Sequence, residues 1–375
     1  MATQAADIEV RGEVTPGFEG VRETFAENFA LFPEVGASVA AMVDGEMVVD
    51  LWAGRATEER GWERDTLVNV WSSTKGATAL AAHMLADRGL LDLEAPVVRY
   101  WPEFGAAGKA SMPVRYLLTH QAGLNAMPEG TANESMFDWE RMVEALAAAT
   151  PAWAPGSKHE YHALTFGWLV GEVVRRVSGK MPGDFIRDEI AEPLGIDFEV
   201  GLAASEDHRV ASILRDPKQV EPIAGVDWNS RACRAAQIPA ANGHANARSL
   251  ATMYGALARG GELGGVRLLS SEAVERAAEL QVHGLEASGF HMYRTLGFMR
   301  RFAQDGDARP ESSWGHAGAG GSQGFADPER RVGFGYAMSQ MLSATPEERR
   351  PSSGGMDPRG QRLVSSVYAA LDAQG

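Results

Sequence analysis

Strand-forming signals gather near the two ends of this chain while its middle reads as helix, and that distribution restricts the fold more than any other feature. Near the N-terminus, Ala37–Val43 and Glu46–Gly54 are β-rich runs joined by Asp44-Gly45. Both turn residues tolerate positive φ, so the spacing predicts a tight hairpin. Near the C-terminus the strand candidates are Leu296–Phe302, the glycine-rich stretch Trp314–Phe325, and Val332–Met338. Asp327-Pro328-Glu329-Arg330 would turn the last two into a second hairpin, and Gln361–Leu371 reads as a closing helix. Between these ends, apolar residues recur at helical spacing through Ala77–Asp87, Phe137–Ala148, Leu164–Val177, Phe185–Ile190 and Leu250–Leu257. Gly89, Gly179 and Gly260 stand at helix C-cap positions, and Pro151 and Pro193 are expected to stop helices. The pattern predicts an α/β (α+β) fold: a sheet closed from both chain ends and flanked by helices, with a helical segment inserted. Residues 1–75 and 265–375 would form the discontinuous sheet domain and 76–264 the mainly helical one, with the active site in the cleft between them. A parallel βαβ series needs regular alternation of strands and helices, which is missing here.

Composition narrows the partners. Asp and Glu number 50 against 35 Lys and Arg, for a net charge of −15. Phosphate backbones and anionic lipid surfaces need a positive field, so neither nucleic acid nor a membrane is an expected partner. A homo-oligomer is compatible with this surface. At 375 residues the chain can bury a large core without disulfides or structural metals. Its one cysteine, Cys233, has no intramolecular partner, which fits a reducing compartment. The first residues carry no basic n-region and no apolar h-region, and no apolar run approaches the ~20 residues that span a bilayer. A cytoplasmic protein is the expectation.

The sharpest local signal is Ser72-Ser73-Thr74-Lys75, an S-x-x-K tetrad opening an apolar helix. With Ser72 at the helix N-terminus, Lys75 lies one turn on along the same face, within reach of the serine hydroxyl. Serine needs an adjacent base to act as a nucleophile. Lysine can serve once its pKa falls from about 10.4 toward 7, a change worth roughly 4 kcal/mol. Burial among Val68, Val70, Trp71 and the alanines of Ala77–Ala82 pushes that way, as does the helix dipole. The tetrad alone is weak evidence, because a serine N-cap followed by a solvated lysine is common. Two further features supply company. Tyr161 stands just before the helix at Leu164, where its hydroxyl could reach the pair and move a proton; its blander role is a packed ring. Trp314-Gly315-His316-Ala317-Gly318-Ala319 is glycine-rich enough for a substrate to approach the backbone. An N–H from this stretch, with that of Ser72, could form an oxyanion hole.

The ordered set Ser-x-x-Lys, Tyr and His-x-Gly resembles the serine β-lactamase/penicillin-recognising superfamily, and most closely its class C-related branch, the family VIII carboxylesterases. Leu117–Leu124 resembles that branch's LLTHxxGL segment, and Asn242–Ser249 and Gly324–Pro328 are similar to esterase-branch segments. The resemblance runs over most of the chain. It implies a β-lactamase-like fold and cofactor-free, metal-free acyl-enzyme chemistry. By this resemblance Ser72 is the nucleophile, Lys75 its general-base partner and Tyr161 the proton shuttle to the leaving group, with a Tyr161 phenolate as a second acceptor for the serine proton. The resemblance also implies that the Ser72 and Ala319 N–H groups form the oxyanion hole; His316, Gly318, Asn125 and, from its place beside the glycine-rich strand, Trp314 are the candidate substrate-binding residues. The implied activity is hydrolysis of small-molecule carboxylic esters with short or medium acyl chains. A β-lactamase, a D-amino-acid peptidase or amidase, and an acyltransferase are alternatives on the same scaffold; a non-catalytic acyl-ligand binder or assembly protein is the alternative outside it.

Two departures favour an ester. Where class C enzymes carry Tyr-x-Asn, this chain has Tyr161-His162-Ala163, and where they carry Lys-Thr-Gly it has His316-Ala317-Gly318. An alanine offers no side-chain hydrogen bond, and a histidine is mostly neutral near pH 7, so β-lactam turnover is expected to be weak. Several other motifs carry blander expectations. Gly320-Gly321-Ser322-Gln323-Gly324 fits G-x-S-x-G, but no helix follows Ser322 as a nucleophile elbow requires. His159-Glu160-Tyr161-His162 lacks the spacing of a helical metal site. His120 and His244 are expected to hydrogen-bond backbone, and Cys233 to be inert. Arg175-Arg176 reads as a solvated helix face and Glu347-Glu348-Arg349-Arg350 as a solvated loop.

Overall fold

The computed structural model describes residues 8–215, 225–287, 291–300, 308–342 and 357–374. Strands β1 (Arg11–Val14), β2 (Gly36–Val43) and β3 (Glu46–Gly54) come from the N-terminal end. Strands β4 (Val282–Leu285), β5 (His291–Arg294), β6 (Met299–Arg300), β7 (Trp314–Ala317), β8 (Gln323–Asp327) and β9 (Val332–Met338) come from the C-terminal end. Together they form one nine-stranded sheet in the order β1-β3-β2-β9-β8-β7-β6-β5-β4. All neighbours are antiparallel, and β2–β9 pairing, from Ala37 opposite Met338 to Val43 opposite Val332, joins the two ends of the chain. Asp44 and Gly45 turn β2 into β3 with φ of 49° and 91°, the positive values such a two-residue turn requires.

The glycine-rich C-terminal stretch is not one strand. It breaks after Ala317, and Gly320 and Gly321 adopt φ of 80° and 129°, so these glycines build a turn between β7 and β8. The expected strand Leu296–Phe302 is confined to Met299–Arg300, with Arg301 and Phe302 outside the described residues. Pro193 does not stop a helix either. Helical backbone continues from Pro182 through a wide π turn at Arg187–Ala191 to Leu194, and ends at Gly195 with φ of 64°. A residue without an N–H fits the first turn of such a short terminal segment.

Alternation along β8 and β9 sorts the two faces of the sheet. Gly324, Gly333 and Gly335 form a bare stripe against α5 (Ala247–Ala258): a Cβ on Gly333 would stand 2.3 Å from the Ala251 oxygen, and one on Gly335 2.1 Å from that of Ala247. Phe325, Phe334 and Tyr336 point the other way, toward α6 (Pro358–Gln374), which packs with α1 (Glu19–Leu31). Tyr368 of α6 donates to Asp327 at 2.8 Å. Thus α5, which the sequence groups with the inserted helices, lies on the sheet.

The remaining major helices are α2 (Thr74–Asp87), α3 (Trp139–Ala148) and α4 (Thr165–Ser178). Helix α2 is buried from Thr74 to Leu85, and small residues set its spacing; a Cβ on Gly76 would meet the Tyr254 hydroxyl of α5 at 2.2 Å. Arg175 and Arg176, expected to be merely solvated, both clasp the carboxylate of Glu172, which is wholly buried and also accepts from Trp139 Nε1. The Glu347–Arg350 run lies outside the described residues. Among the described residues no helix is long and apolar enough to cross a membrane.

Candidate active site

The segment leading to Ser72 is fixed before the helix begins. Val68–Asn69 pairs with His244–Ala245, and the Val70 N–H donates to the Gly243 oxygen at 2.8 Å. At Trp71 the backbone turns into the left-handed region, φ 49°, a conformation that costs a non-glycine residue on the order of 1 kcal/mol. Several contacts hold it there. The Trp71 N–H donates to Asn69 Oδ1 at 2.8 Å, Thr74 Oγ1 donates to the Trp71 oxygen at 2.5 Å, and the indole packs on Trp228 with centroids 4.6 Å apart. A 3-10 turn over Trp71–Ser73 then feeds α2, leaving Ser72 half-buried at the helix start.

Lys75, one turn on, is fully buried. Its Nζ lies 3.1 Å from Ser72 Oγ, 2.7 Å from the Ala163 oxygen and 2.9 Å from the Ala240 oxygen. None of these partners is a carboxylate. Burial holds the amine well below its usual 10.5, and the Arg294 charge adds to that effect. A neutral amine has two N–H donors and one lone pair. The two carbonyls can only accept, so they take both N–H groups and leave the lone pair facing the Ser72 O–H. The geometry therefore suits a base that takes the serine proton. Alanine at 163 does supply a hydrogen bond, through its backbone rather than a side chain.

Tyr161 lies beside the pair, with Lys75 Nζ 4.8 Å from the centre of the tyrosine ring. Burial pushes the phenol up to about 12, against the opposing pull of Ser72 and Arg294. That shift favours the protonated phenol near neutral pH.

Residues of the Leu117–Leu124 segment carry the tyrosine loop. His120 Nδ1 accepts the His162 N–H at 3.0 Å, and the His120 oxygen accepts the Glu160 N–H at 3.1 Å. His162 Nε2 accepts the Leu124 N–H at 3.0 Å while its Nδ1–H donates to the Glu160 oxygen at 2.7 Å. Each ring thus accepts from a backbone N–H, which requires the neutral form; burial pushes His162 down to about 4 and His120 well below 6.5. His120 bonds backbone as expected.

The C-terminal stretch brings its residues in with different outcomes. His316 is 1% exposed, lies with its ring centre 6.3 Å from that of Tyr161, and is held well below 6.5 by burial and by Lys75. It is neutral, with Nδ1 2.8 Å from the Ala317 oxygen. A Cβ on Gly318 would stand 2.3 Å from Ser322 Oγ and 2.4 Å from the Val70 oxygen, so this strand end presses on the segment before Ser72. Ala319 follows, exposed, as the first residue of the turn. Trp314 is corrected from substrate wall to core: it is 1% exposed and packs edge-on against Phe298 at 4.8 Å, because β7 directs it beneath the site. Asn125 is half-buried just beyond Leu124, whose oxygen accepts from Thr165 Oγ1.

The decoys resolve by burial. Ser322 is fully buried, and its hydroxyl donates to the Val70 oxygen at 2.6 Å, 3.2 Å from Ser73 Oγ. It fastens the β7–β8 turn to the nucleophile's segment. Burial pushes the Cys233 thiol up to about 12, so it is inert. His159 parts from His162 and meets Glu286 at 3.1 Å. Glu286 and its partner Arg294 had no signal in the sequence, and neither did the Ala163 and Ala240 carbonyls, since a backbone oxygen is common to every residue.

Known proteins share the sequence pattern and the fold of this chain. A family model described as Beta-lactamase matches residues 25–353. Esterase/beta-lactamase LipL of Mycobacterium tuberculosis is 39% identical over 370 residues, covering 90% of this chain and 85% of that protein. The crystal structure of a family VIII carboxylesterase superposes with a TM-score of 0.89 at 41% identity, covering 97% of this chain and all of that one. A penicillin-binding protein homologue from Caulobacter crescentus superposes with a TM-score of 0.88 at 36% identity, covering 97% and 100%. With the family model spanning both chain ends and the inserted helices, the chain belongs to the beta-lactamase family.

Proposed function

We propose that this protein is a serine carboxylesterase acting through an acyl-enzyme on Ser72. The observation that carries the proposal is Lys75: a fully buried amine, hydrogen-bonded to Ser72, with no carboxylate partner among the described residues to keep it charged. Ser72 Oγ attacks the ester carbonyl as Lys75 takes its proton, and the Ser72 and Ala319 N–H groups stabilise the oxyanion. Tyr161 gives its proton to the departing alcohol and regains one from Lys75, so the charge of the site is restored. Water then adds to the acyl-enzyme by the same route in reverse roles and releases the acid. No step calls for a cofactor or a metal.

An uncharged ester, here taken to carry a short or medium acyl chain, is supported by the neutral His316, which offers no cation to a substrate carboxylate, and by the name of the family VIII carboxylesterase; LipL is named both esterase and beta-lactamase. Gly318 and Asn125, both partly exposed, and His316, which borders the Tyr161 ring, are the positions proposed for substrate contact. The reducing compartment implied by a lone, buried Cys233 makes the cytoplasm the favoured location, with no nucleic acid or membrane partner for so acidic a chain.

The test pairs labelling with turnover. A fluorophosphonate should add to Ser72, and p-nitrophenyl esters of graded acyl length should be hydrolysed much faster than a chromogenic cephalosporin. A labelled peptide lacking Ser72, or a faster β-lactam reaction, would overturn the assignment.

A further inference from the structure

Next to the reacting pair lies an ion pair that the chemistry above does not use. Arg294, at the end of β5, is 1% exposed, and its Nε and Nη2 both reach Glu286 Oε1, at 2.9 and 2.5 Å. The same carboxylate oxygen lies 3.1 Å from His159 Nδ1 on the tyrosine loop. One residue on, the Ala287 N–H donates to the Glu160 carboxylate at 2.9 Å, and Glu160 also pairs with Lys158 at 3.0 Å. Residues 286–287 therefore clasp the loop at its two positions just before Tyr161.

The guanidinium itself faces the site. Its carbon lies 5.1 Å from the centre of the Tyr161 ring, and Lys75 Nζ lies 4.8 Å from the same centre. The two basic groups are thus separated by no more than about twice that radius. Glu286 engages only one edge of the guanidinium; Nη1 is buried with no hydrogen-bond partner among the described residues. The ion pair is therefore a fixed dipole, pinned at its negative end to the loop and resting its positive end on the catalytic tyrosine.

We propose that Arg294, held by Glu286, is a positioning residue of the catalytic pair: it seats the Tyr161 ring and sets a fixed positive charge against Lys75, making the lysine the free base of the site. Two buried cations at this range repel, and only lysine can relieve the repulsion by losing its proton. The other groups facing Lys75 are Ser72, Tyr161, His120, His162 and His316. The three histidines are neutral and Tyr161 is protonated near pH 7, so none of them supplies that charge. Glu286 acts in the opposite sense from the far side of Arg294.

The inference rests on Ser72 and Lys75 being the reacting pair, and the test separates the two. The pH dependence of kcat/KM for a p-nitrophenyl ester is measured for the wild type, Arg294→Met, Arg294→Lys and Glu286→Gln, with active sites counted by fluorophosphonate labelling. Removing the cation eases protonation of Lys75, so in Arg294→Met the acid limb moves to higher pH by about one unit. That is roughly a tenfold loss on the limb, recovered at alkaline pH except for a pH-independent fall in kcat from the unseated Tyr161 ring, with KM unchanged because Arg294 does not reach the surface. Arg294→Lys keeps the limb near the wild-type position, and Glu286→Gln, which unmasks the cation, moves it to lower pH. The position of a limb does not depend on how much of a preparation is folded, so a destabilised variant still reads out. A limb that stays put in Arg294→Met, or that rises in Glu286→Gln, overturns the proposal while the Ser72 assignment stands. Wild type that is not labelled on Ser72 overturns both.

Discussion

Lys75 and Arg359 are both basic, both fully buried, and surrounded in opposite ways. Arg359 meets two carboxylates, Glu34 at 3.0 Å and Asp357 at 2.7 Å, and spends its other N–H groups on the Gln340 and Gly320 oxygens at 2.9 and 2.8 Å. Lys75 meets two carbonyls and a serine hydroxyl, and no carboxylate. A buried cation that is paired and fully hydrogen-bonded stays charged and holds structure together; Arg359 ties α6 to the β7–β8 turn through Gly320. A buried amine without a counter-charge gives up its proton instead and becomes a base. Burial is the same at the two positions. The partner decides whether it yields architecture or chemistry.

The sharpest way to break that contrast is to remove each side chain without its volume. Lys75→Met should lower kcat/KM for an ester by roughly 10⁴-fold or more, the scale seen when one member of a nucleophile–base unit is lost. Its melting temperature should fall far less than that of Arg359→Met, because two carbonyls rather than two carboxylates lose their donor. Ester turnover and a thermal melt of the same preparation check both halves, and a variant within tenfold of wild type would mean another base is at work. Arg359→Met should do the reverse to stability. It strands Glu34 and Asp357 in the interior, a loss of about 3–5 kcal/mol, read by urea denaturation. If Arg359→Met melted like wild type, pairing would not be what distinguishes the two sites.

The same reasoning extends to buried histidines. His83, His162 and His244 are each held near 4, first of all by burial, against an ordinary 6.5. Between those values the unfolded chain binds more protons than the folded one, so stability falls as pH drops from about 6.5 toward 4. Urea midpoints measured across that window should decline steadily and level off above pH 7. A midpoint flat down to pH 5 would show that these rings are charged in the fold.

What was legible in the sequence was local. Asp44-Gly45 sets its own hairpin, and Ser72 and Lys75 are one helical turn apart whatever surrounds them. Tyr161 was found because it stands before a helix start and belongs to an ordered set. The features that escaped are made by distant segments meeting. Arg359 and Glu34 are 325 residues apart in sequence, and Arg294 matters only because β5 passes over the tyrosine loop. The carbonyls that hold Lys75 could come from any residue type. Trp314 was misread because a strand shows which residues share a face but not what that face meets: His316, two residues on, borders the site while Trp314 lies under it. Pro193 was misread because the π turn ahead of it has no signature in residue type. The glycines of this stretch do mark close approach, of Gly318 to the Ser322 hydroxyl and the Val70 oxygen, and of Gly320 and Gly321 to the Met341 and Asp357 side chains.

The smallest predicted effect tests the contrast at the level of two serines. Ser72 is half-buried with its hydroxyl beside an amine lone pair, whereas Ser322 is fully buried with its hydroxyl committed to a carbonyl. A committed hydroxyl has no base to activate it, so G-x-S-x-G spacing at Ser322 carries no nucleophile. Ser322→Ala removes one neutral hydrogen bond and leaves the Val70 oxygen short of a donor, at a cost of about 1 kcal/mol. Gly318 already packs against that hydroxyl, so the turn bearing Ala319 should loosen slightly and kcat fall only a few-fold. Ser72→Ala should instead lose both turnover and fluorophosphonate labelling with no change in the urea midpoint. Labelling that survived in Ser72→Ala and vanished in Ser322→Ala would exchange the roles of the two serines, and with them the roles assigned to burial and to Lys75.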